Sequence, residues 1–316
     1  MSLRVLKPGP QSILQAYPRI GFRHVGVPWS GPADQLSATL ANHLCGNGFG
    51  NPVLEIPMGG AAFEAQQDVA LAVTGGQAEL AVDGQPAGLG QALLLKKNSK
   101  LSIGSVSAGF RVYLAVAGGF EAAEVMASAS TYLPASLGGF AGRALREGDV
   151  LEVGSNQSTT RDLPSDLLPR FAQSHIIRVT RSPEFSALPR AAQRGLFSKP
   201  FTASRQLSRM GVPLEAEALA LDRSEIASAP VHPGTVQLPP SGLPIILGPD
   251  AQTTGGYPRV LSVIAADMHR LGQIGPGHRV QFFERTEEEA EADFRGLCAR
   301  YAGVLTPREL SPTPAR

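Results

Sequence analysis

Cysteine is nearly absent from this chain. Cys45 and Cys298 are the only two in 316 residues and stand far apart, so a disulfide is not expected and a cysteine-rich zinc site is excluded. The six histidines, His24, His43, His175, His232, His269 and His278, never form the H-x-x-x-H spacing of a helix-borne metal site. No metal site is expected. The sequence also lacks the GxxxxGK[ST] phosphate loop, the GxGxxG dinucleotide fingerprint and the GxSxG nucleophile elbow. Apolar runs stay well short of the roughly 18 residues a membrane helix needs, and residues 1–10 show no signal-peptide pattern. A reducing cytoplasm is the expected location, with no membrane partner. Charge is scarce too: charged residues make up 17% of the chain and the net charge is +1, with the basic residues scattered rather than striped, so nucleic acid is not an expected partner.

Glycine and proline are plentiful. The 35 glycines and 26 prolines follow no collagen period, and with a hydrophobic content of 43% they predict a folded, mainly β protein of short strands and many turns. Its length favours two domains.

Residues 21–34 read as a functional loop with three glycines and two prolines. It feeds a helix whose stripe is Leu36, Leu40 and Leu44, with Gly46 and Asn47 as its stop signal. Ser30 or Asp34 is suited to cap that helix, and Asp34 is equally suited to act as a reactant. Residues 53–56, which carry Glu55, open a series of strands at 69–74, 79–82, 92–95, 101–103 and 111–116, with Asp83-Gly84 as a hairpin turn. Closure into barrels would remove the exposed edges of so many strands. Arg143, at the end of Gly138-Gly139-Phe140-Ala141-Gly142-Arg143, is a candidate anion contact.

Two glycine turns, each followed by a strand, echo one another at residues 148–153 and 277–282. They suggest two related barrels, at 1–160 and 161–285, joined by a Ser-, Thr-, Asp- and Pro-rich linker at 155–169; crossed strands would make the domains discontinuous. Residues 286–316 form a C-terminal helix and a flexible tail, with Thr286 and Glu289 as a capping box and Ala290, Phe294, Leu297, Cys298 and Tyr301 as the apolar face.

In the second half, Ser208-Arg209-Met210-Gly211 is a compact turn whose guanidinium suits a carboxylate or carbonyl, or a bridge between two loops. Gln252-Thr253-Thr254-Gly255-Gly256-Tyr257-Pro258 follows an apolar run at 244–248 that reads as a strand delivering it. Together with Ser30, Asp34 and Glu55, these segments compose a polar, glycine-rich site able to orient a small amide or carboxylated ligand. The nucleophile stays open.

Five segments carry a specific resemblance: Gly26-Val27-Pro28-Trp29-Ser30-Gly31-Pro32-Ala33-Asp34, Ala41-Asn42-His43-Leu44-Cys45-Gly46-Asn47, Leu54-Glu55-Ile56, Ser208-Arg209-Met210-Gly211 and Gln252 to Pro258. They resemble the KipA-like, or allophanate-hydrolase-subunit-2-like, family, also described as the biotin-dependent carboxyltransferase-domain family, over about residues 5–285. The resemblance implies two cyclophilin-like β-barrel domains with a few peripheral helices. It also implies a role like that of the C component of ATP-dependent 5-oxoprolinase, which works with a KipI-like B component and an A component to turn 5-oxo-L-proline into L-glutamate. ATP is then used by the complex, and this chain binds no cofactor of its own. The alternatives are a carboxyltransferase acting on urea or a related amide with biotin carried by a partner, and a non-enzymatic KipA-like regulator of a KipI-like protein.

By that resemblance Asn42, Glu55, Arg209, Gln252, Thr254 and Tyr257 match the family's motif positions. Taken together with the reading of the residues themselves, Asp34, Glu55, Arg209, Thr254 and Tyr257 are the catalytic candidates. Ser30, Asn42, Arg143, Ser208, Gly211, Gln252, Thr253, Gly255 and Gly256 are the substrate-binding ones. One departure is visible: where members read Gln-Asp-x-Gly-Arg, this chain reads Gln15-Ala16-Tyr17-Pro18-Arg19, without the acid and the glycine.

Overall fold

A computed structural model describes residues 1–154, 160–221 and 226–311. Part of the expected linker, residues 155–159, and Pro312 and Pro314 of the expected tail lie outside the described residues. The chain is mainly β and divides into two units. The first comprises Met1–Ile20, Ser30–Phe171 and Tyr301–Leu310; the second comprises Gly21–Trp29 and Ala172–Arg300. The main join therefore falls between Phe171 and Ala172 rather than near residue 160, and both units are discontinuous. Residues 286–310 do not stand apart: 286–300 belong to the second unit and Tyr301–Leu310 to the first, where Tyr301 is 2% exposed and its hydroxyl donates to the Leu167 carbonyl at 2.8 Å.

The first unit holds β1 (Ser2–Pro8), β2 (Ile13–Gln15), β3 (Val53–Pro57), β4 (Gly59–Ala65), β5 (Val69–Val82), β6 (Gln85–Ala87), β7 (Ala92–Leu95), β8 (Lys100–Val116) and β9 (Val150–Glu152). The two long strands β5 and β8 pair along most of their length, and β8 also pairs with β3 and β4. Alternation explains the core: β4 buries every second residue, including Phe63, which packs with Leu54, Leu71 and Leu114. Each such side chain contributes about 1.5–3 kcal/mol of burial.

Full closure is not what manages the edges of this sheet. Its ladder runs β2-β3-β8-β4-β1-β9, and among the described residues β2 and β9 do not pair. Side-chain and loop groups cover the β2 edge instead. Thr131 N donates to the Leu14 carbonyl at 3.0 Å, and the Ala16 N–H donates to Ser130 Oγ at 3.0 Å. Helix α1 (Gln35–Leu44) packs on this sheet through Ala38, Ala41 and Leu44, against Val53, Ala72, Tyr113 and Ala115; the expected stripe of Leu36, Leu40 and Leu44 is buried, but of its three leucines only Leu44 belongs to this contact.

The second unit holds β10 (Ser174–Arg181), α2 (Arg190–Ser198), β11 (Phe201–Ala203), β12 (Gly211–Glu215), β13 (Ala229–Pro230), β14 (Thr235–Gln237), β15 (Ile245–Leu247), β16 (Thr254–Gly255), β17 (Arg259–Val263), β18 (Arg279–Glu284) and α3 (Glu287–Arg300). Here a barrel does close, in the order β10-β17-β14-β15-β12-β11-β18. Closure comes from a parallel pairing of β18 with β10, from Ser174↔Arg279 to Val179↔Glu284. The two glycine turns that echo in sequence precede β9 and β18, each paired with the strand opening its unit. Residues Ala265–Gln273 form a 3-10 segment.

Thr286 and Glu289 exchange the reciprocal bonds of a capping box at 2.9 and 3.2 Å. The helix they start buries none of its residues, so Cys298 is only half-buried rather than part of a core.

Candidate functional site

The polar motif residues of the first unit are bonded inward. Asp34 is the N-cap of α1: its Oδ1 accepts from Ser37 N at 2.9 Å and its Oδ2 from Ser37 Oγ at 2.5 Å, and the residue is fully buried. Glu55, on β3 and 1% exposed, accepts through Oε2 from the Ala33 N–H at 2.7 Å and from the Tyr113 hydroxyl at 2.9 Å. Arg111 Nε lies 3.3 Å from its Oε1 as an ion pair. Tyr113 in turn accepts from the Asp34 N–H at 2.8 Å. Burial, and then the charges of Glu55 and Asp34, push this phenol well above its ordinary range, so it stays a protonated donor. The result is a buried knot linking the loop before α1 to β3 and β8.

Asn42 and Arg143 are also placed among structural partners, whereas Ser30 is not. Asn42 is buried, donates to the Asn51 carbonyl and accepts from Asn47 Nδ2, each at 2.9 Å, which holds the turn after α1. Arg143 grips Asp149 with both terminal nitrogens at 2.8 Å. Ser30 is buried at φ 55°, and its hydroxyl has no hydrogen-bond partner among the described residues.

The second unit builds differently. Its turn at Ser208–Gly211 is tied locally, with Ser208 N donating to the Gly211 carbonyl at 3.0 Å and Ser208 Oγ accepting from Met210 N at 3.2 Å. Arg209 is held almost fully inside and forks onto Asp250, Nε to Oδ2 at 2.8 Å and Nη2 to Oδ1 at 3.1 Å. Backbone bonds run parallel to this pair, from Gly248 N to the Met210 carbonyl and from Asp250 N to the Arg209 carbonyl. Of the two roles open to Arg209 in the sequence, this contact is the loop bridge. It fixes the start of the segment that follows β15.

Two more guanidiniums fasten that segment. Arg23, from the Gly21–Trp29 strap, donates through Nη2 to the carbonyls of Val231 and Thr253. Its guanidinium lies 5.1 Å from the centre of the Trp29 ring, which stacks on His232 at 5.9 Å. Burial, and then the neighbouring charges of Arg23 and Arg259, lower the His232 pKa and favour its neutral form. Arg259 forks onto Glu184 and reaches the Pro230 carbonyl at 3.2 Å.

Between these anchors the backbone of residues 252–258 is largely satisfied: Val231 N donates to the Thr253 carbonyl, Ile226 N to that of Gly256 and Leu238 N to that of Pro258, while Thr254–Gly255 pairs with β13. The side chains of Gln252, Thr254 and Tyr257 are exposed. The hydroxyls of Thr254 and Tyr257 make no hydrogen bond among the described residues. A rigid loop thus offers an amide, an alcohol and a phenol, all neutral and all able to donate and accept. This arrangement suits recognition of a small polar ligand by hydrogen bonds.

Sequence reasoning missed Asp250, Gln237, Arg23 and Arg259 as the groups that hold this loop, and Arg111 and Tyr113 in the first unit. Only the last pair left a usable signal. Their spacing of two on a strand puts them on one face, and Tyr113 stands directly opposite Glu55 in the register. Among the described residues no group of three or more His, Cys, Asp and Glu could hold a metal ion, and no helix is long and apolar enough to cross a membrane.

Residues 25–284 match the family model described as the carboxyltransferase domain, subdomain A and B. The chain belongs to this family. Within the carboxyltransferase-domain family, it is 36% identical to the C component of 5-oxoprolinase from Escherichia coli over 91% of this chain and 93% of that protein. It is 29% identical to urea amidolyase of Saccharomyces cerevisiae over 92% of this chain but 17% of that much longer protein. The crystal structure of K. lactis urea amidolyase superposes with a TM-score of 0.88 at 26% identity, covering 100% of this chain and 21% of that one.

Proposed function

We propose that this chain is the C component of an ATP-dependent 5-oxoprolinase. It would support hydrolysis of 5-oxo-L-proline to L-glutamate together with a KipI-like B component and an A component. The observation that carries the reading is the 36% identity to the E. coli 5-oxoprolinase C component across nearly the full length of both proteins. The chemistry of the 252–258 loop agrees with it, because 5-oxoproline has one lactam N–H donor, a lactam carbonyl and an ionised carboxylate whose oxygens all accept, and the offered amide and hydroxyls complement both kinds of group. Opening a stable lactam with ATP needs phosphoryl transfer, and the sequence has no phosphate loop, which is consistent with labour divided between the components.

The test is reconstitution. The purified chain alone is expected to be inactive, while its mixture with the A and B components forms glutamate only when ATP is present. An assembled complex that forms no glutamate overturns the proposal, and tight pairing without turnover in any mixture points instead to a KipA-like regulator.

A second reading is favoured by a separate observation, the likeness to the urea amidolyases over essentially the whole of this chain. In that reading the chain is a carboxyltransferase component acting on urea or a related amide, with biotin carried by a partner. Carboxylation that depends on both bicarbonate and ATP separates it from the first.

A further inference from the structure

Gln237 closes β14 and is 1% exposed, beneath the loop that carries Gln252. Its amide makes two contacts: Nε2 to the Tyr257 carbonyl at 3.3 Å, and Oε1 to Gln252 Nε2 at 3.3 Å. The two ends of a glutamine amide have nearly the same shape, so their orientation follows from the partners. A backbone carbonyl only accepts, so the Gln237 end facing Tyr257 is the NH2 group. Its oxygen therefore faces Gln252, which must answer with its own NH2. One carbonyl thus sets the sense of both amides in turn, and the Gln252 oxygen is left turned away from Gln237, with no hydrogen bond among the described residues.

The backbone is shaped to keep this contact. A Cβ at Gly255 would stand 2.5 Å from Gln237 Nε2 and 3.3 Å from its Cδ. Gly255 is not among the residues with positive φ, so space above the Gln237 amide, rather than a left-handed backbone, calls for glycine there. Strand β16 lies directly on the buried amide.

We propose that Gln237 is a positioning residue that holds Gln252 with its Oε1 presented as the acceptor for an N–H of an amide ligand. The inference deepens the proposed function and rests on its reading that this loop takes a lactam or urea-type amide. It assigns polarity: the ligand's nitrogen must carry a proton toward Gln252, and an N-alkylated amide loses that bond.

The test is calorimetric binding to the full chain assembled with its partner components, using 5-oxoproline and its N-methyl analogue, and urea and tetramethylurea. The unsubstituted amide is expected to bind about tenfold more tightly, the worth of roughly one hydrogen bond. Gln237→Met removes both contacts at similar volume and is expected to erase this N–H preference. Gln237→Glu in its acid form, which keeps an O–H toward Tyr257 and a carbonyl oxygen toward Gln252, restores it. Thermal unfolding shows that each variant is folded. If Gln237→Met retains the preference, or folded wild type shows none for either amide, the inference is overturned. If urea is bound with this dependence and 5-oxoproline is not, the polarity assignment stands and the lactam reading falls.

Discussion

In the first unit the polar motif residues turn inward and bind one another; in the second they ride on a loop whose backbone is fastened and whose side chains face out. Asp34 and Glu55 are 0% and 1% exposed, whereas Tyr257 is 39% exposed. Both sets lie beside glycines and prolines in the sequence and match the same family motifs there. The difference lies in which atoms the fold consumes. Around Glu55 the carboxylate itself closes the knot. Around Tyr257 the closing groups are backbone carbonyls, that of Thr253 in the loop gripped by Arg23 and those of Pro230 and Val231, beside it, gripped by Arg259 and Arg23, with Arg209 locked onto Asp250 at the start of the loop. A motif residue spent on its own fold contributes stability, and one left with an open hydroxyl or amide keeps that group available to a ligand.

The largest expected effect comes from cutting the inward knot. Glu55→Ala takes away the buried carboxylate that the Arg111 guanidinium, the Tyr113 hydroxyl and the Ala33 N–H share inside the first unit, and is expected to cost about 3–5 kcal/mol in urea denaturation. A loss under about 1 kcal/mol together with abolished turnover would move Glu55 from the fold to the chemistry.

Acid separates the two units next. His175 Nε2 lies 3.0 Å from His278 Nδ1, which also accepts from the Gly275 N–H, so His278 Nδ1 carries no proton and His175 donates to it. Burial, then His278 and Arg270, bring the His175 pKa down from 6.5 to about 4. The unfolded chain takes up its proton near 6.5 and the folded one does not until about 4. This stability is fully present above pH 6.5 and is lost as pH falls toward 4, a change of about 3 kcal/mol. The first unit contains one histidine, His43, against five in the second, so melting of the second unit is the expected response in this window. Asp149, which Arg143 holds below its ordinary 3.8, gives up its share only at lower pH. Thermal unfolding of His175→Phe should show a flatter dependence on pH; an unchanged slope would remove the pair as its source.

Much of this fold is legible in the sequence where a local rule has only one solution. The leucines four apart gave α1, Thr286 with Glu289 gave the start of α3, and the alternating apolar runs gave most of the strands. The strap at Gly21–Trp29 was less readable, because its assignment to the second unit depends on contacts made some 200 residues away, Arg23 to Val231 and Thr253. The motif segments could be found, but not the sense in which they are used. Arg209 beside Ser and Gly suits a ligand carboxylate and a protein carboxylate equally, and only Asp250, distant in sequence, decides its contact. Gln237 had no signal at all: a glutamine at the end of a short strand looks like any surface residue until Gly255 is seen lying on it.

The smallest expected change in stability is also the sharpest test of the contrast between the units. Tyr257→Phe removes a hydroxyl with no partner among the described residues, so the unfolding free energy should stay within about 0.5 kcal/mol of wild type. If the outward loop is where the ligand is recognised, the same variant in the reconstituted complex loses at least about tenfold in kcat/KM for 5-oxoproline, the worth of roughly one hydrogen bond. Full turnover with unchanged substrate affinity would contradict the placement of the site on this loop.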